Sequence, residues 1–280
     1  MVALGKLVAD QVLELSEPLV VGGQQRVVRT TTAGGAPANV TANLARLGVP
    51  ARVACWAGAD PLADGLLADL SARGVEIAVA RRGRTPVSTV LVHPDGERTL
   101  LSDGGEGALE PEDVRPGWLT DAAVLHLDGY DLLRYPDALR TAAALARDAG
   151  VPVSVDVAAA SRIRGVENYA ELLASLRADV LFCNANEADV LGITAELPHW
   201  APELVLVHDG PRPTWVRTRG GAWEVSVEPV EVRDTTGCGD AFAAGVLAGW
   251  RAGSALLDSV RTGHAAAAAV AQVVGAQPSS

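Results

Sequence analysis

Short apolar runs alternate with helical repeats along most of this chain. From about residue 50, runs of the kind that form buried strands are separated by stretches whose apolar positions recur every three or four residues. The runs read ARVACWAG, AAVLHLDG, VPVSVDV, ADVLFCNA and ELVLVHDG, and the helical stretches read DPLADGLLADLSARG, YPDALRTAAALARDAG and YAELLASLR. This order predicts an α/β fold with a mainly parallel central sheet and helices on both of its faces. The small-residue C-terminal part predicts two helices with a break near Gly253.

Two early segments, residues 11–33 and 85–103, do not follow this rhythm. They are richer in β-branched residues, alternate apolar with polar positions and contain turns such as HPDGER. We therefore predict antiparallel strands within QVLELSEPLVV, QQRVVRTTT, VSTVLVHP and ERTLLSD, combined in one small sheet that projects from the main domain. Such a sheet suits a lid over a binding site. Because the chain has no internal repeat and no low-complexity linker, residues 1–280 are expected to form a single domain.

The composition narrows the classes of function. Apolar residues make up 49% of the 280 residues, enough for a sizeable core, and the formal net charge of -11 argues against a protein that grips nucleic-acid phosphates. No secretory-signal pattern is present, and no apolar run approaches the roughly 18 residues needed to span a bilayer. The three cysteines, Cys55, Cys183 and Cys238, lie far apart without Cys-x-x-Cys spacing, which fits a reducing compartment. We expect a cytoplasmic protein that binds neither nucleic acid nor membranes.

The stretch DTTGCGD, residues 234–240, stands immediately before a helical repeat. Its glycines allow the backbone to approach a ligand closely, and the unpaired N–H groups at a helix start attract an anion. Asp240 is therefore either the helix N-cap or a base beside a bound anion. The stretch is not a Walker A loop, because no Gly-Lys-Ser/Thr closes it. Lys6 is the single lysine, so a bound phosphate must be held by arginine, backbone N–H groups or a metal, unless Lys6 itself reaches it.

Three further clusters offer ligand groups, and each also has a purely structural explanation. Gly34–Gly35 forms a bend, after which Asn39 could cap a helix or offer its amide to a hydroxylated ligand. The sequence NANE, residues 184–187, follows a strand at the usual ligand side of an α/β sheet. Its Glu187 could hold Mg²⁺ through water, or be an exposed loop acid that caps the next helix. Asp10 lies near a strand end, where it could accept hydrogen bonds from two hydroxyls or simply be solvated.

In their order along the chain, these clusters resemble the motifs of the ribokinase-like carbohydrate kinases, the PfkB family. Members share Gly-x-x-x-x-Asp, then Gly-Gly with an Asn four residues on, then Asn-x-x-Glu, and finally Asp-Thr-x-Gly-x-Gly-Asp. The matching positions here are Gly5/Asp10, Gly34-Gly35/Asn39, Asn184/Glu187 and 234–240. The resemblance covers nearly the whole chain. It implies a ribokinase-like fold with a β-sheet lid, and transfer of the γ-phosphoryl group of ATP to a hydroxyl of a small free sugar of ribose, fructose or ketodeoxy type.

The resemblance also implies roles for the matching residues. Asp240 would take the proton of the acceptor hydroxyl, and an anion hole for the transferred phosphoryl group would be formed by the N–H groups of Gly237, Cys238 and Gly239. The sugar would be held by Asp10, Gly34, Gly35 and Asn39. Mg²⁺ and its waters would be organised by Asn184 and Glu187, the nucleotide would contact His208, Gly210 and His264, and a monovalent cation would lie at Asp234 and Thr236. The implied cofactors are ATP and Mg²⁺ with K⁺ as an optional addition, and the lid offers a surface for a homodimer.

Three departures from the family pattern bear on reactivity and substrate. Cys238 replaces the usual alanine, and its place at a helix start predicts a lowered thiol pKa and inactivation by alkylation. GGAPANV is nearest to fructokinases and lacks a lysine, which argues against a sugar-phosphate acceptor. VDVAAAS has Ala158 and Ala160 where fructokinases have Asn and Arg, which argues against fructose. Two alternatives remain open: a nucleoside kinase, for which aromatic residues are scarce at 4%, and a non-catalytic nucleotide- or sugar-binding regulator.

Overall fold

A nine-stranded sheet occupies the centre of the computed structural model, which describes residues 1–95, 97–273 and 275–277. The strands in chain order are β1 (Val2–Lys6), β2 (Val8–Leu15), β3 (Val27–Gly34), β4 (Arg52–Ala57), β5 (Glu76–Arg81), β6 (Val87–Val92), β7 (Arg98–Asp103), β8 (Leu125–Asp128), β9 (Val153–Asp156), β10 (Val180–Asn184), β11 (Leu204–Asp209), β12 (Arg212–Thr218) and β13 (Gly221–Val225). The α-helices are α1 (Ala36–Arg46), α2 (Pro61–Ala72), α3 (Gly129–Arg134), α4 (Pro136–Asp148), α5 (Ala160–Ile163), α6 (Tyr169–Leu176), α7 (Ala185–Val190), α8 (Cys238–Arg251) and α9 (Leu256–Ala271). Within these described ranges, no helix is long and apolar enough to cross a membrane.

The strand order across the large sheet is β13-β12-β11-β10-β9-β8-β1-β4-β5. All neighbouring pairs from β11 to β5 are parallel, which confirms the predicted central sheet. The hairpin of β12 and β13 adds two antiparallel strands at one edge, and these two strands were not predicted. Both strands carry an exposed tryptophan, Trp215 in β12 and Trp223 in β13, and neither has the continuous apolar run that marks a central strand.

Successive residues of β1 point to opposite faces of the large sheet and enter separate cores. Leu4 packs on one face with residues of β8, β9, α4 and α6. Ala3 packs on the other face with residues of α1, α8 and α9. Both side chains are fully buried, and complete burial of a leucine contributes roughly 1.5–3 kcal/mol. Helices therefore cover both faces of the sheet, as predicted.

Helices α8 and α9 lie in close contact because glycines replace side chains between them. An added Cβ on Gly245 would lie 2.6 Å from the carbonyl oxygen of Thr262, and one on Gly263 would lie 2.6 Å from Cγ2 of Val246. The predicted break near Gly253 is confirmed, since this residue lies between the two helices.

The second sheet has four strands in the order β3-β2-β6-β7 and is the small sheet predicted from the two early segments. β2 pairs antiparallel with β3, and β6 with β7, but β2 and β6 are parallel, contrary to the expectation. β2 begins at Val8, before the predicted boundary at residue 11, so Asp10 lies inside this sheet. Ala9 and Ala33 pack with α1 and α2 in a third core. Asp10 follows Ala9 and therefore faces away from that core.

Candidate active site

A cleft of about 650 Å³ opens where β9, β10 and β11 end and α8 begins. Nine predicted site residues line it: Asn184, Glu187, His208, Gly210, Gly237, Cys238, Gly239, Asp240 and His264. Six others are not part of this lining: Asp10, Gly34, Gly35, Asn39, Asp234 and Thr236. Two of these six, Asn39 and Asp10, nevertheless act on Asp240, one through a hydrogen bond and the other through its charge.

The start of α8 depends on a left-handed glycine. Gly237 occupies the N-cap position with φ of +75°, where a side chain is strained. An added Cβ there would also lie 2.4 Å from Cβ of Ala276. Because the helix begins at Cys238, Asp240 is its third residue, and no side chain caps this end. The alternative of Asp240 as the helix N-cap is therefore wrong.

Asp240 is instead bound by an amide that comes from 201 residues earlier in the chain. Nδ2 of Asn39 donates a hydrogen bond to Oδ2 of Asp240 at 2.8 Å. Asn39 is only 5% exposed and lies inside α1, whose N-cap position is Gly35, so its predicted alternative role as a cap is also wrong. Burial raises the pKa of Asp240 to about 7, with a smaller upward contribution from Asp10, while the Asn39 hydrogen bond lowers it. A carboxylate of this kind is matched to proton transfer near neutral pH.

The paired glycines allow two close approaches, of the Asp10 carboxyl to Gly34 and of the Lys6 backbone to Gly35. An added Cβ on Gly34 would lie 2.1 Å from Oδ2 of Asp10, and one on Gly35 would lie 2.6 Å from the carbonyl oxygen of Lys6. Burial raises the pKa of Asp10 to about 6, so this side chain is not the solvated strand-end acid of the structural alternative. Asp10 and Asp240 are therefore two carboxyls with raised pKa values, and the charge of Asp10 contributes to the raised pKa of Asp240.

Asn184 and Glu187 form a reciprocal capping box at the start of α7. Oδ1 of Asn184 accepts from the N–H of Glu187 at 3.0 Å, while Oε2 of Glu187 accepts from the N–H of Asn184 at 2.8 Å. Capping is therefore correct, but the expectation of an exposed acid is not, because Glu187 is 5% exposed. Burial raises the pKa of Glu187 to about 7 against the hydrogen bonds from Asn184, which lower it. This acid lines the cleft in addition to its structural role.

Two acids near the site, Asp156 and Asp128, were not predicted as site residues. Asp156 ends β9 and lines the cleft, and burial, followed by the charges of Glu187 and Asp240, raises its pKa well above the usual range. Burial, followed by the charge of Asp131, raises the pKa of Asp128 to about 8. Both acids lie at carboxyl ends of parallel strands, so the rule applied to NANE also points to them. With such raised pKa values both carboxyls are mainly protonated at neutral pH, and a bound cation would favour their ionised form.

Lys6 does not offer its charge to a phosphate. Its Nζ lies 2.8 Å from Oδ1 of Asp131, a fully buried carboxylate, and its backbone N–H donates to Oδ2 of the same residue at 2.6 Å. Burial alone would lower the pKa of Lys6, but the charges of Asp131 and Asp128 reverse that and raise it. The lysine is thus engaged in a structural ion pair behind the Gly34–Gly35 bend.

Known proteins resemble this chain in both sequence and fold. The family model for pfkB family carbohydrate kinases matches residues 2–280. The chain belongs to this family. The PfkB member is 36% identical over 227 residues to an ATP-dependent ribose-1-phosphate kinase of Halopiger xanaduensis (78% of this chain, 73% of the relative). It is 31% identical over 250 residues to a fructokinase of Klebsiella pneumoniae (82% and 80%). A crystal structure of a probable sugar kinase from Rhizobium etli matches with a TM-score of 0.85 at 26% identity, over 100% of this chain and 94% of that one.

Family membership confirms two expectations and removes one alternative. The PfkB member is an ATP-dependent carbohydrate kinase, and the ribokinase-like α/β fold with a smaller second sheet is confirmed. The alternative of a non-catalytic binding protein is therefore wrong.

An aromatic stack borders one side of the kinase cleft. The rings of Phe242 and His264 are stacked with centroids 5.5 Å apart, and His208 lies at the same distance on Phe242. Nε2 of His264 also lies 2.8 Å from Oγ1 of Thr214. Burial lowers the pKa of His208 to about 4, so this ring is neutral at physiological pH. The three rings therefore form a largely apolar side of the cleft, in which His208 is tilted by 55° against Phe242.

The loop before α8 corrects the prediction about Cys238. Asp234 is buried, and its two carboxyl oxygens accept from the N–H of Thr236 at 2.7 Å and of Gly275 at 2.8 Å. Burial, followed by the charges of Asp234 and Asp240, raises the pKa of the Cys238 thiol to about 11. The predicted lowering is wrong, because burial and the neighbouring carboxylates all favour the protonated thiol. The thiol is protonated at neutral pH, which removes the stated reason for easy alkylation.

Proposed function

We propose that this kinase phosphorylates a hydroxyl of a small free sugar, with Asp240 as the base. The buried pair of Asn39 and Asp240 at the start of α8 carries the proposal, because it fixes a carboxylate whose pKa of about 7 suits proton transfer. The acceptor oxygen would bond to the γ-phosphorus of ATP, the bond from that phosphorus to the oxygen retained by ADP would break, and the hydroxyl proton would pass to Asp240.

Backbone groups would stabilise the transferred phosphoryl group, since no lysine or arginine is among the described residues that line the cleft. An added Cβ on Gly239 would lie no nearer than ordinary van der Waals distance to its closest neighbours, with Nε2 of His208 at 3.7 Å and Oδ2 of Asp156 at 3.9 Å. The fold therefore has room there for a ligand atom beside the backbone. The N–H of Cys238 donates to the carbonyl of Thr235 at 3.2 Å, so the proposed anion hole relies more on Gly237 and Gly239.

The acidic side chains of the cleft fit Mg²⁺. In the described residues no group of three or more His, Cys, Asp or Glu side chains forms a ready-made metal site. Mg²⁺ fits this arrangement, because it keeps several waters and needs only one or two protein carboxylates beside phosphate oxygens. Glu187 and Asp156 would hold it through water, and it would neutralise phosphate charge. At Asp234 and Thr236 we propose K⁺ as an optional addition.

Polar groups on the small sheet support a polyhydroxylated acceptor. Thr32, Ser88 and Ser102 are in register with Asp10 across the four strands, so all four residues share one face. This face is the one turned away from the core beneath Ala9. A row of three hydroxyls and one carboxyl can exchange hydrogen bonds with sugar hydroxyls. The sheet would close over the sugar as a lid.

A phosphorylated pentose is the second candidate acceptor. The relative from Halopiger is named for ribose 1-phosphate, and one arginine could hold a substrate phosphate here. Nη1 of Arg134 lies 3.0 Å from the position of an added Cβ on Gly104, directly after the last strand of the small sheet. Arginine is suited to bind phosphate bidentately. A free sugar remains our first choice, because the second cation in this region, Lys6, is occupied by Asp131.

The test is ADP release with D-fructose, D-ribose, 2-keto-3-deoxygluconate, ribose 1-phosphate and adenosine, each with and without K⁺. Asp240→Asn should lower kcat by about 10²–10⁴-fold while ATP binding persists, because it removes the base but keeps the side-chain shape. Asp258→Asn, an exposed acid of α9, is the control. Unchanged turnover of Asp240→Asn refutes the base. Arg134→Gln should weaken ribose 1-phosphate alone, and turnover of that acceptor in the absence of any free-sugar activity favours the second candidate.

Two further features complete the proposal. The outer strands of the small sheet, β3 and β7, carry exposed apolar side chains, with Val28 at 66% and Leu100 at 63% exposure. Such edges are suited to an interface between two copies of the chain. Cys55 and Cys183 are buried free thiols, which fits a reducing cytoplasm that also supplies ATP.

A further inference from the structure

We propose that Gln277 is a positioning residue that turns the side-chain amide of Asn39 towards Asp240. The proposal rests on the proposed role of Asp240 as the base. Nε2 of Gln277 donates to the carbonyl oxygen of Ala33 at 2.6 Å and to Oδ1 of Asn39 at 3.0 Å. Nδ2 of Asn39 in turn donates to Oδ2 of Asp240 at 2.8 Å. A continuous chain of hydrogen bonds therefore links the C-terminal tail with the base.

The direction of these hydrogen bonds is set by a group that can only accept. A side-chain amide can be turned over with little change in shape, so its orientation follows from its hydrogen-bond partners. The carbonyl of Ala33 can only accept, so it requires the NH₂ end of Gln277. That NH₂ group then requires Oδ1 of Asn39, which leaves Nδ2 of Asn39 facing Asp240. Each amide is oriented by the one before it.

The tail is held on the site by two contacts next to Gln277. The N–H of Gly275 donates to Oδ2 of Asp234 at 2.8 Å, and Ala276 is 6% exposed against Gly237. Oε1 of Gln277 is buried and has no hydrogen-bond partner in the described part of the chain. An unpaired buried acceptor is costly. The unpaired Oε1 fits a side chain whose position is set by the two hydrogen bonds of its NH₂ group, to Ala33 and Asn39.

Loss of the Gln277 donor would release the Asn39 amide. With Oδ1 turned towards Asp240, the amide would repel the ionised carboxylate instead of donating to it. Because a hydrogen bond to the charged form lowers a carboxyl pKa, its loss raises the pKa of Asp240 further above its value of about 7. A larger share of the base is then protonated at neutral pH. The expected defect is therefore a shifted titration, with the fold retained.

The experiment compares Gln277→Met, which removes the donor at similar length, with Gln277→Glu, which replaces the donor by an acceptor. The control is Gln272→Met, an exposed glutamine that donates to a helix carbonyl at 3.0 Å. The side-chain amide resonances of Asn39 are followed by NMR against pH in the protein without ligands. Their titration should have a midpoint near 7 in the parent and in the control, and about one pH unit higher in both Gln277 variants. ADP release with the best acceptor of the panel should fall about fivefold at pH 7, because the deprotonated share of the base drops from about one half to about one tenth, and the acid limb of its pH profile should shift the same way.

A double variant separates positioning from a general structural effect. If Gln277 acts through Asn39, then Gln277→Met should have no further effect on the pH profile in an Asn39→Ala background. Additive effects, or titration midpoints unchanged in both Gln277 variants, overturn the proposal. If Asp240→Asn keeps full turnover, the base assignment fails instead, and the NMR titration still decides whether Gln277 orients Asn39. A melting temperature that falls alone, with unchanged midpoints, assigns Gln277 a purely structural role.

Discussion

Gly237→Ala tests whether the start of α8 depends on close contact with the C-terminal tail. Two costs add at this position. A non-glycine residue at φ of +75° costs roughly 1–2 kcal/mol. The new methyl group would also lie 2.4 Å from Cβ of Ala276, and overpacking of this kind costs about 1–3 kcal/mol. The free energy of unfolding should therefore fall by about 2–5 kcal/mol, measured by urea denaturation.

Gly253→Ala is the matched control, because its φ is +77° but an added Cβ meets no atom within 4 Å. It should lose only the conformational share, roughly 1–2 kcal/mol, and keep its turnover. Gly237→Ala should also lower kcat by about 10²-fold, since a shift of about 1 Å displaces the proposed anion hole. Adding Ala276→Gly should restore part of the loss, because the Cβ contact disappears while Cα of residue 276 remains at 2.8 Å. Equal losses in Gly237→Ala and Gly253→Ala would refute the contact argument.

Three further predictions concern charge and assembly. Because burial raises the pKa of Asp240 to about 7, the folded protein binds the proton of this carboxyl more tightly than the unfolded chain does. The contribution of Asp240 to the free energy of unfolding should therefore decline as the pH rises from about 4 to about 7, measured by urea denaturation. Activity should show the opposite trend and fall as pH drops through about 7, and a flat profile would contradict the base. Lys6→Met should destabilise the fold by about 3–5 kcal/mol by stranding the buried Asp131 carboxylate, and adding Asp131→Leu should recover most of this loss in thermal unfolding. Val28→Glu should convert a dimer into monomers in sedimentation experiments while Val21→Glu, in the loop after β2, should not; a parent that is already monomeric removes the proposed interface.

Most of the architecture could be predicted, because buried central strands have a recognisable sequence pattern. The runs that form β4, β8, β9, β10 and β11 are almost continuously apolar, since helices bury both of their sides, and this pattern is visible in the sequence. The edge hairpin of β12 and β13 lacks that signal, because its outward side chains meet solvent. The parallel pairing of β2 with β6 could not be predicted either. Two strands separated by about 70 residues leave no local mark of their relative direction.

The sequence identified residues of the site better than it identified the contacts between them. The motifs identified Asn39 and Asp240 separately, but a hydrogen bond between residues 201 positions apart is a property of the fold. Asp156 was not predicted as a site residue although it ends a parallel strand, because VDVAAAS carries none of the four family motifs. Gln277 lies in a tail that carries no periodic pattern. The thiol of Cys238 was misjudged because the helix dipole can be inferred from sequence, whereas burial and neighbouring carboxylates cannot.

The ion pair of Lys6 and Asp131 has a practical consequence for measuring motion in this protein. Because the chain has a single lysine and that amine is held at 2.8 Å from a buried carboxylate, reagents that acylate side-chain amines have one slow target. The rate at which the Lys6 amine is modified then reports how often the ion pair between β1 and α3 opens, without any engineered label. Slower acylation in the presence of sugar or nucleotide would show directly that ligands damp this opening.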